Sequence, residues 1–141
     1  VPHLLGCPAA VRWVSYEPAL GPIDFRYSAF NGADSFGQMA GLHWVVVGGE
    51  SGGGARPFDV AWARATVQAC RSAGVAAFVK QLGAKPYEVT GVTGRFRTHP
   101  ETGKRQLELT VQWLAVSDPK GGDWNEWPAD LRVREYPEVR P

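Results

Sequence analysis

The run His43-Trp44-Val45-Val46-Val47-Gly48-Gly49-Glu50-Ser51-Gly52-Gly53-Gly54-Ala55-Arg56-Pro57 constrains the fold more than any other part of the chain. Its first half is apolar without alternation and rich in β-branched residues. That pattern suits a strand buried on both faces, as in a parallel α/β sheet. The apolar stretch ends in five glycines set around one carboxylate, one hydroxyl and one guanidinium. Glycines directly after a buried strand permit tight turns and close approach to the main chain. In parallel sheets the ligand site lies beyond the carboxyl ends of the strands. Glu50, Ser51 and Arg56 therefore stand where such proteins keep their chemistry.

The neighbouring segments extend this pattern. Val11 to Tyr16 reads as a strand closed by Glu17-Pro18, because the residue before a proline is pushed to extended backbone. Residues 19–41, with Gly21-Pro22, Asn31-Gly32 and Gly37, read as a long connection. Phe58 to Ala73 reads as a helix capped by Asp59 and ended by Gly74, with Trp62, Ala65, Val67, Ala69 and Cys70 as its inner face. Val75 to Lys80 is a third strand, closed by Gln81 and Gly83. Strand, helix and strand in this order predict a βαβ unit with parallel, right-handed connection. From residue 87 to 116 the style changes. Alternating β-branched and aromatic residues, with Pro100-Glu101-Thr102-Gly103 as turn signal, predict an antiparallel hairpin. The tail reads as a loop, a short helical turn and an extended segment.

With 44% hydrophobic and 21% charged residues, the chain has the makings of a packed core. A net charge of +1 provides no general attraction to nucleic acid or a membrane surface. No apolar run approaches the ~20 residues of a spanning helix. Cys7 and Cys70, 63 positions apart, suggest neither a disulfide framework nor a metal knuckle, and fit a reducing, cytoplasmic setting. His3, His43 and His99 lack metal-ligand spacing, and His43 reads as a packing residue. Trp13, Trp44 and Trp62 fit core positions. Trp124 and Trp127 read as packing of the C-terminal segment.

Each predicted strand ends in polar residues: Ser15 and Glu17, then Glu50 and Ser51, then Lys80 and Gln81. If the strands are parallel neighbours, all six converge on one sheet edge. Such an edge suits a zwitterionic or polyhydroxylated ligand, its amino and hydroxyl groups taken by carboxylates and its anionic groups by Lys80 and Arg56. The glycine run has neither the Walker A pattern nor dinucleotide-fingerprint spacing. Glu17 and Glu50 are also candidates for an acid/base pair of the glycoside-hydrolase kind.

Four segments together resemble a family of uncharacterised phage and bacterial proteins: Val14-Ser15-Tyr16-Glu17-Pro18 with Leu20-Gly21-Pro22-Ile23-Asp24; Trp44 to Gly52 with Ala55-Arg56-Pro57; Phe78-Val79-Lys80-Gln81-Leu82-Gly83; and Glu126-Trp127-Pro128-Ala129-Asp130-Leu131-Arg132-Val133-Arg134. Members of that family look like radical S-adenosylmethionine (SAM) enzymes, with a three-cysteine cluster motif in their N-terminal half and a fold similar to a partial (β/α)₆ barrel. The resemblance implies SAM and a [4Fe–4S] cluster as cofactors. It implies Ser15, Glu17, Gly48, Gly49 and Glu50 as cofactor contacts, and Ser51, Arg56, Lys80 and Gln81 as substrate contacts. The chain lacks the three-cysteine motif, so cluster ligands are expected in a missing N-terminal half, with this chain the C-terminal half of a longer protein. The phage association suggests nucleic acid or a nucleotide as substrate.

The expected fold is thus α/β: the C-terminal half of a partial parallel (β/α) barrel over residues 1–84, with an antiparallel hairpin and C-terminal segment over 85–141 packed on it as one structural domain. The expected function is that of a radical SAM-type enzyme of unknown substrate, inactive as this chain alone. Two rivals belong to other classes. One is a cluster-free hydrolase using Glu17 and Glu50; the other is a non-catalytic module binding a nucleotide or a protein.

Overall fold

The computed structural model describes residues 2–23, 25, 39 and 41–138. The chain is α/β, with two three-stranded sheets and one long helix among these residues. A short helix α1 (Pro2–Leu5) precedes strands β1 (Trp13–Tyr16) and β2 (Trp44–Gly48). A two-residue strand β3 (Phe58–Asp59) runs into helix α2 (Val60–Ala73), followed by β4 (Ala76–Gln81) and the hairpin strands β5 (Pro86–Thr98) and β6 (Arg105–Trp113). Single 3₁₀ turns occupy Trp124–Glu126 and Ala129–Leu131. Most of the predicted 19–41 connection lies outside the described residues.

The first sheet is parallel in the order β1-β2-β4, with Trp13 opposite Trp44 and Trp44 opposite Ala76. The apolar run behaves as its composition requires: Val45 and Val47 are fully buried and Val46 nearly so. Val45 and Val47 join Ala77 and Val79 of β4 in packing against α2. Helix α2 contributes Val60, Ala63, Val67 and Cys70 to this core. Its Asp59 cap accepts a hydrogen bond from the Ala61 N–H at 2.9 Å, and Gly74 closes it in the left-handed region at φ 66°. The outer edge of β4 is covered by the tail. The Val79 N–H donates to the Val133 carbonyl and the Glu135 N–H to that of Ala77, both at 2.8 Å.

Three local expectations change. Helix α2 begins at Val60 rather than Phe58, because Phe58 and Asp59 pair in parallel with Pro86 and Tyr87. Its inner face uses Ala63 and Thr66 instead of Ala65, which is exposed. The buried Thr66 hydroxyl donates to the Trp62 carbonyl at 2.9 Å. Trp13 is not a core residue. It is 48% exposed on the sheet face opposite α2, where its ring lies 5.6 Å from that of Trp44. The expected hairpin forms, turning at Gly103 with φ 67°. Among the described residues the parallel sheet does not close on itself.

Candidate functional site

The parallel order brings the carboxyl ends of β1, β2 and β4 together. Val14 and Tyr16 of β1 pack against the core, so Ser15 faces the opposite side of the sheet. By the same alternation Lys80, next to the core residue Val79, faces that side too. Glu17 follows directly after β1 and is linked to Pro18 by a cis peptide bond. Its Oε2 accepts a hydrogen bond from Lys80 Nζ at 3.0 Å, with the Glu17 side chain 15% exposed and that of Lys80 54%.

This pair joins the two outer strands across the central one, and Gly48 lies beside it, closest to the main chain of Gln81. A Cβ at 48 would stand 3.5 Å from Glu17 Cδ and 3.2 Å from the Gln81 carbonyl oxygen. Gln81 turns its amide inward, and Nε2 donates to the Gly49 carbonyl at 3.0 Å. The Ser15 and Ser51 hydroxyls are exposed and have no hydrogen-bond partner among the described residues.

Glu50 and Arg56 form a separate unit. Arg56 donates its backbone N–H and Nε to Glu50 Oε2 at 2.9 and 2.8 Å, and its Nη2 to Oε1 at 3.0 Å. This two-pronged pair braces the glycine loop from within. The Nε–Nη2 fork of Arg56 is taken by the chain's own carboxylate, which leaves the outer guanidinium donors facing solvent. Side-chain and then backbone hydrogen bonds from Arg56 lower the Glu50 pKa from 4.5 to about 2. Because the folded-state value lies below the ordinary one, the pair's contribution to stability is present above pH 4.5 and is lost as pH falls towards 2. A carboxyl-detected NMR titration should therefore place the Glu50 midpoint near 2. In Arg56→Ala it should rise towards 4.5 without reaching it, because the backbone N–H of residue 56 still donates to the carboxylate, and an unshifted midpoint in the parent chain would discount the brace.

The remaining glycines hold main chains against one another. A Cβ on Gly49 would run into the Leu82 carbonyl oxygen, one on Gly83 would lie 2.5 Å from the Glu50 carbonyl oxygen, and one on Gly121 would strike that of Gly83. Hydrogen bonds follow the same path. The Gly49 N–H donates to the Gln81 carbonyl at 3.0 Å, Leu82 to Gly121 at 3.0 Å, Gly83 to Lys120 at 2.9 Å and Ala84 to Glu50 at 2.8 Å. Gly83 reads from sequence only as a strand end, and its contact with Gly121 is a product of the tertiary structure. The signal available was Gly121-Gly122 in an otherwise charged tail. A cleft of about 770 Å³ opens at the opposite end of the sheet, between His43, Arg71, Ala76 and Glu135, well away from this edge.

The fold and this edge define an α/β protein whose polar residues gather at the carboxyl ends of a parallel sheet. Residues 1–116 match the family described as Protein of unknown function (DUF5131), and the chain belongs to it. No curated protein and no solved structure matches the chain significantly.

Proposed function

We propose that this chain is the carboxy-terminal part of a partial-barrel enzyme of the radical SAM type, with the β1 and β4 ends binding the zwitterionic portion of SAM. The observation that carries the reading is the Glu17–Lys80 pair, with the Ser15 hydroxyl on the same sheet face. An amino acid end group needs an acceptor for its ammonium and a cation for its carboxylate within a few ångströms of each other. Glu17 and Lys80 meet that need, and a neighbouring hydroxyl suits ribose. Gly48 borders the site, in contact range of Glu17. Glu50, Arg56, Gly49 and Gln81 serve as its scaffold, since their polar groups or missing side chains are used within the chain.

The sheet supports the partial-barrel reading. The tail covers the outer edge of β4, whereas no described strand pairs with the outer edge of β1. Among the described residues, β1 is the sheet edge at which further parallel strands would add. The described residues do not fit a [4Fe–4S] cluster. They contain no group of three or more Cys, His, Asp or Glu able to hold a metal. Cys7 is exposed, and burial pushes the Cys70 thiol up to about 12. A cluster would have to be held by residues other than the described ones. The hydrolase reading is weaker because a carboxyl held near 2 makes a poor general acid.

The test is SAM binding by calorimetry to the full natural polypeptide, reconstituted anaerobically with iron and sulfide. The expected protein is brown, and Glu17→Gln and Lys80→Met each weaken SAM binding by about 10- to 30-fold, the loss of one charged hydrogen bond. A colourless protein, or affinity unchanged in both variants, would reject the reading. Turnover without iron or reductant would favour a hydrolase.

A further inference from the structure

The hairpin of β5 and β6 carries an apolar face that nothing among the described residues covers. In its register Val89, Val92 and Phe96 stand opposite Val111, Leu109 and Leu107. Directly opposed residues share a face and successive residues alternate between faces. One face is therefore apolar, while Gln106, Glu108, Thr110 and Gln112 point to the other. At the hairpin base the rings of Tyr87 and Trp113 meet at 5.5 Å and continue the apolar face. Val92, Phe96, Leu107, Leu109, Val111 and Trp113 are each between 38% and 59% exposed. Together they present about three whole side chains to water, on the order of 600 Å² at roughly 200 Å² each. That is the upper end for an apolar patch on a monomer, and a two-stranded ribbon with a bare apolar face is marginal in water.

We propose that this face is covered by the same face of a second copy, the two ribbons packing antiparallel about a twofold axis. Two such faces together bury on the order of 1,200 Å² from these six side chains alone, which reaches the range of specific interfaces. A twofold interface joins one patch to itself, so a single complementary apolar stripe suffices.

Charge selects the direction. Residues 95–105 hold Arg95, Arg97, Lys104 and Arg105 against Glu101 alone, a local +3 in a chain of net +1. Tips side by side would oppose two such clusters. Antiparallel packing separates them by about the length of β6, roughly 30 Å, several screening lengths at physiological salt. It also brings Arg105, stacked 4.7 Å over the Phe96 ring, towards the aromatic base of the other ribbon. The middle of the stripe, Val92, Leu107, Leu109 and Val111, is aliphatic and carries no donor for a phosphate, which favours an apolar partner over polynucleotide.

Sedimentation equilibrium of the full chain from about 1 to 100 μM tests the proposal. The expected result is a dimer, weakened at least ~100-fold by Leu109→Lys, which places a charge in the middle of the stripe. Since Leu109 is half exposed in one copy, that variant should keep the parent's circular dichroism, and its melting temperature should match the parent's at concentrations where the parent is monomeric. In a Cys7→Ser background, a bis-maleimide spanning roughly 10 Å, the spacing of facing sheets, should cross-link Leu109→Cys between copies but leave Arg105→Cys uncrossed, because antiparallel packing holds the two 105 positions about 25 Å apart. A monomer throughout, with or without salt-dependent polynucleotide binding, would overturn the proposal. So would a dimer indifferent to Leu109→Lys, or cross-linking through 105 in place of 109.

Discussion

Gly49→Ala should cost about 3 kcal/mol or more of folding stability, although it adds only one methyl group. The new Cβ would collide with the Leu82 carbonyl oxygen and stand 2.8 Å from its carbon and 3.0 Å from Phe58 Cγ. Backbone atoms on two adjacent strand ends cannot yield as a flexible side chain can. Leu82 is further held by its N–H bond to the Gly121 carbonyl at 3.0 Å. Overpacking of an ordinary core typically costs 1–3 kcal/mol; a clash with fixed main chain belongs at or beyond the top of that range. Gly53→Ala is the matched control. Nothing lies within 4 Å of a Cβ there, and the expected change stays within about 0.5 kcal/mol. Urea unfolding of the three proteins measures the difference. Equal midpoints for Gly49→Ala and the parent would show that the strand ends are not in close contact.

Trp127→Ala should destabilise the chain by about 4 kcal/mol, in line with large aromatic truncations in cores. Trp127 is 2% exposed and belongs to the main core, though it comes from the tail. Its Nε1 donates to the Gly121 carbonyl at 2.9 Å, and its ring lies 5.6 Å from that of Trp124. The Arg134 guanidinium lies over the rings of Trp124, Phe78 and Trp127 at 4.9, 5.4 and 5.6 Å. Removing the indole opens a cavity and leaves a buried carbonyl without its side-chain donor. Trp127→Phe keeps most of the ring and loses the N–H, so about 1–2 kcal/mol is expected. Thermal melts should separate the two variants by roughly 6–12 °C for a chain of this size. If both variants melt together, the hydrogen bond would outweigh the packing and the order of these terms would be reversed.

Local chemistry was legible wherever neighbours in sequence decide the structure. The unbroken apolar run could be stable only as a strand covered on both sides, and Val45 to Val47 are so covered. Asp59 and Gly74 marked the ends of the helix through backbone needs that operate within a single turn. The hairpin followed from alternation and its turn residues. Glu50 and Arg56, six residues apart, were singled out individually, yet their mutual pairing was not foreseen. It requires the loop to fold back so that the guanidinium meets the carboxylate.

Residues distant in sequence obtained their roles only from the tertiary structure. Glu17 and Lys80 meet because β1 and β4 flank β2 in parallel. Phe58 and Asp59 leave the helix for a strand because Pro86 and Tyr87 arrive beside them. Trp13 looks like a core residue by type, but sits on the sheet face away from α2. What the sequence by itself determined is the kind of each element and the clustering of polar groups at strand ends, since hydrophobic period, caps and turns act over a few residues. Which glycines serve close packing of main chains, and which charges pair with one another, was decided by the tertiary structure alone. Gly49, Gly83 and Gly121 are interlocked by three segments whose proximity no local pattern encodes.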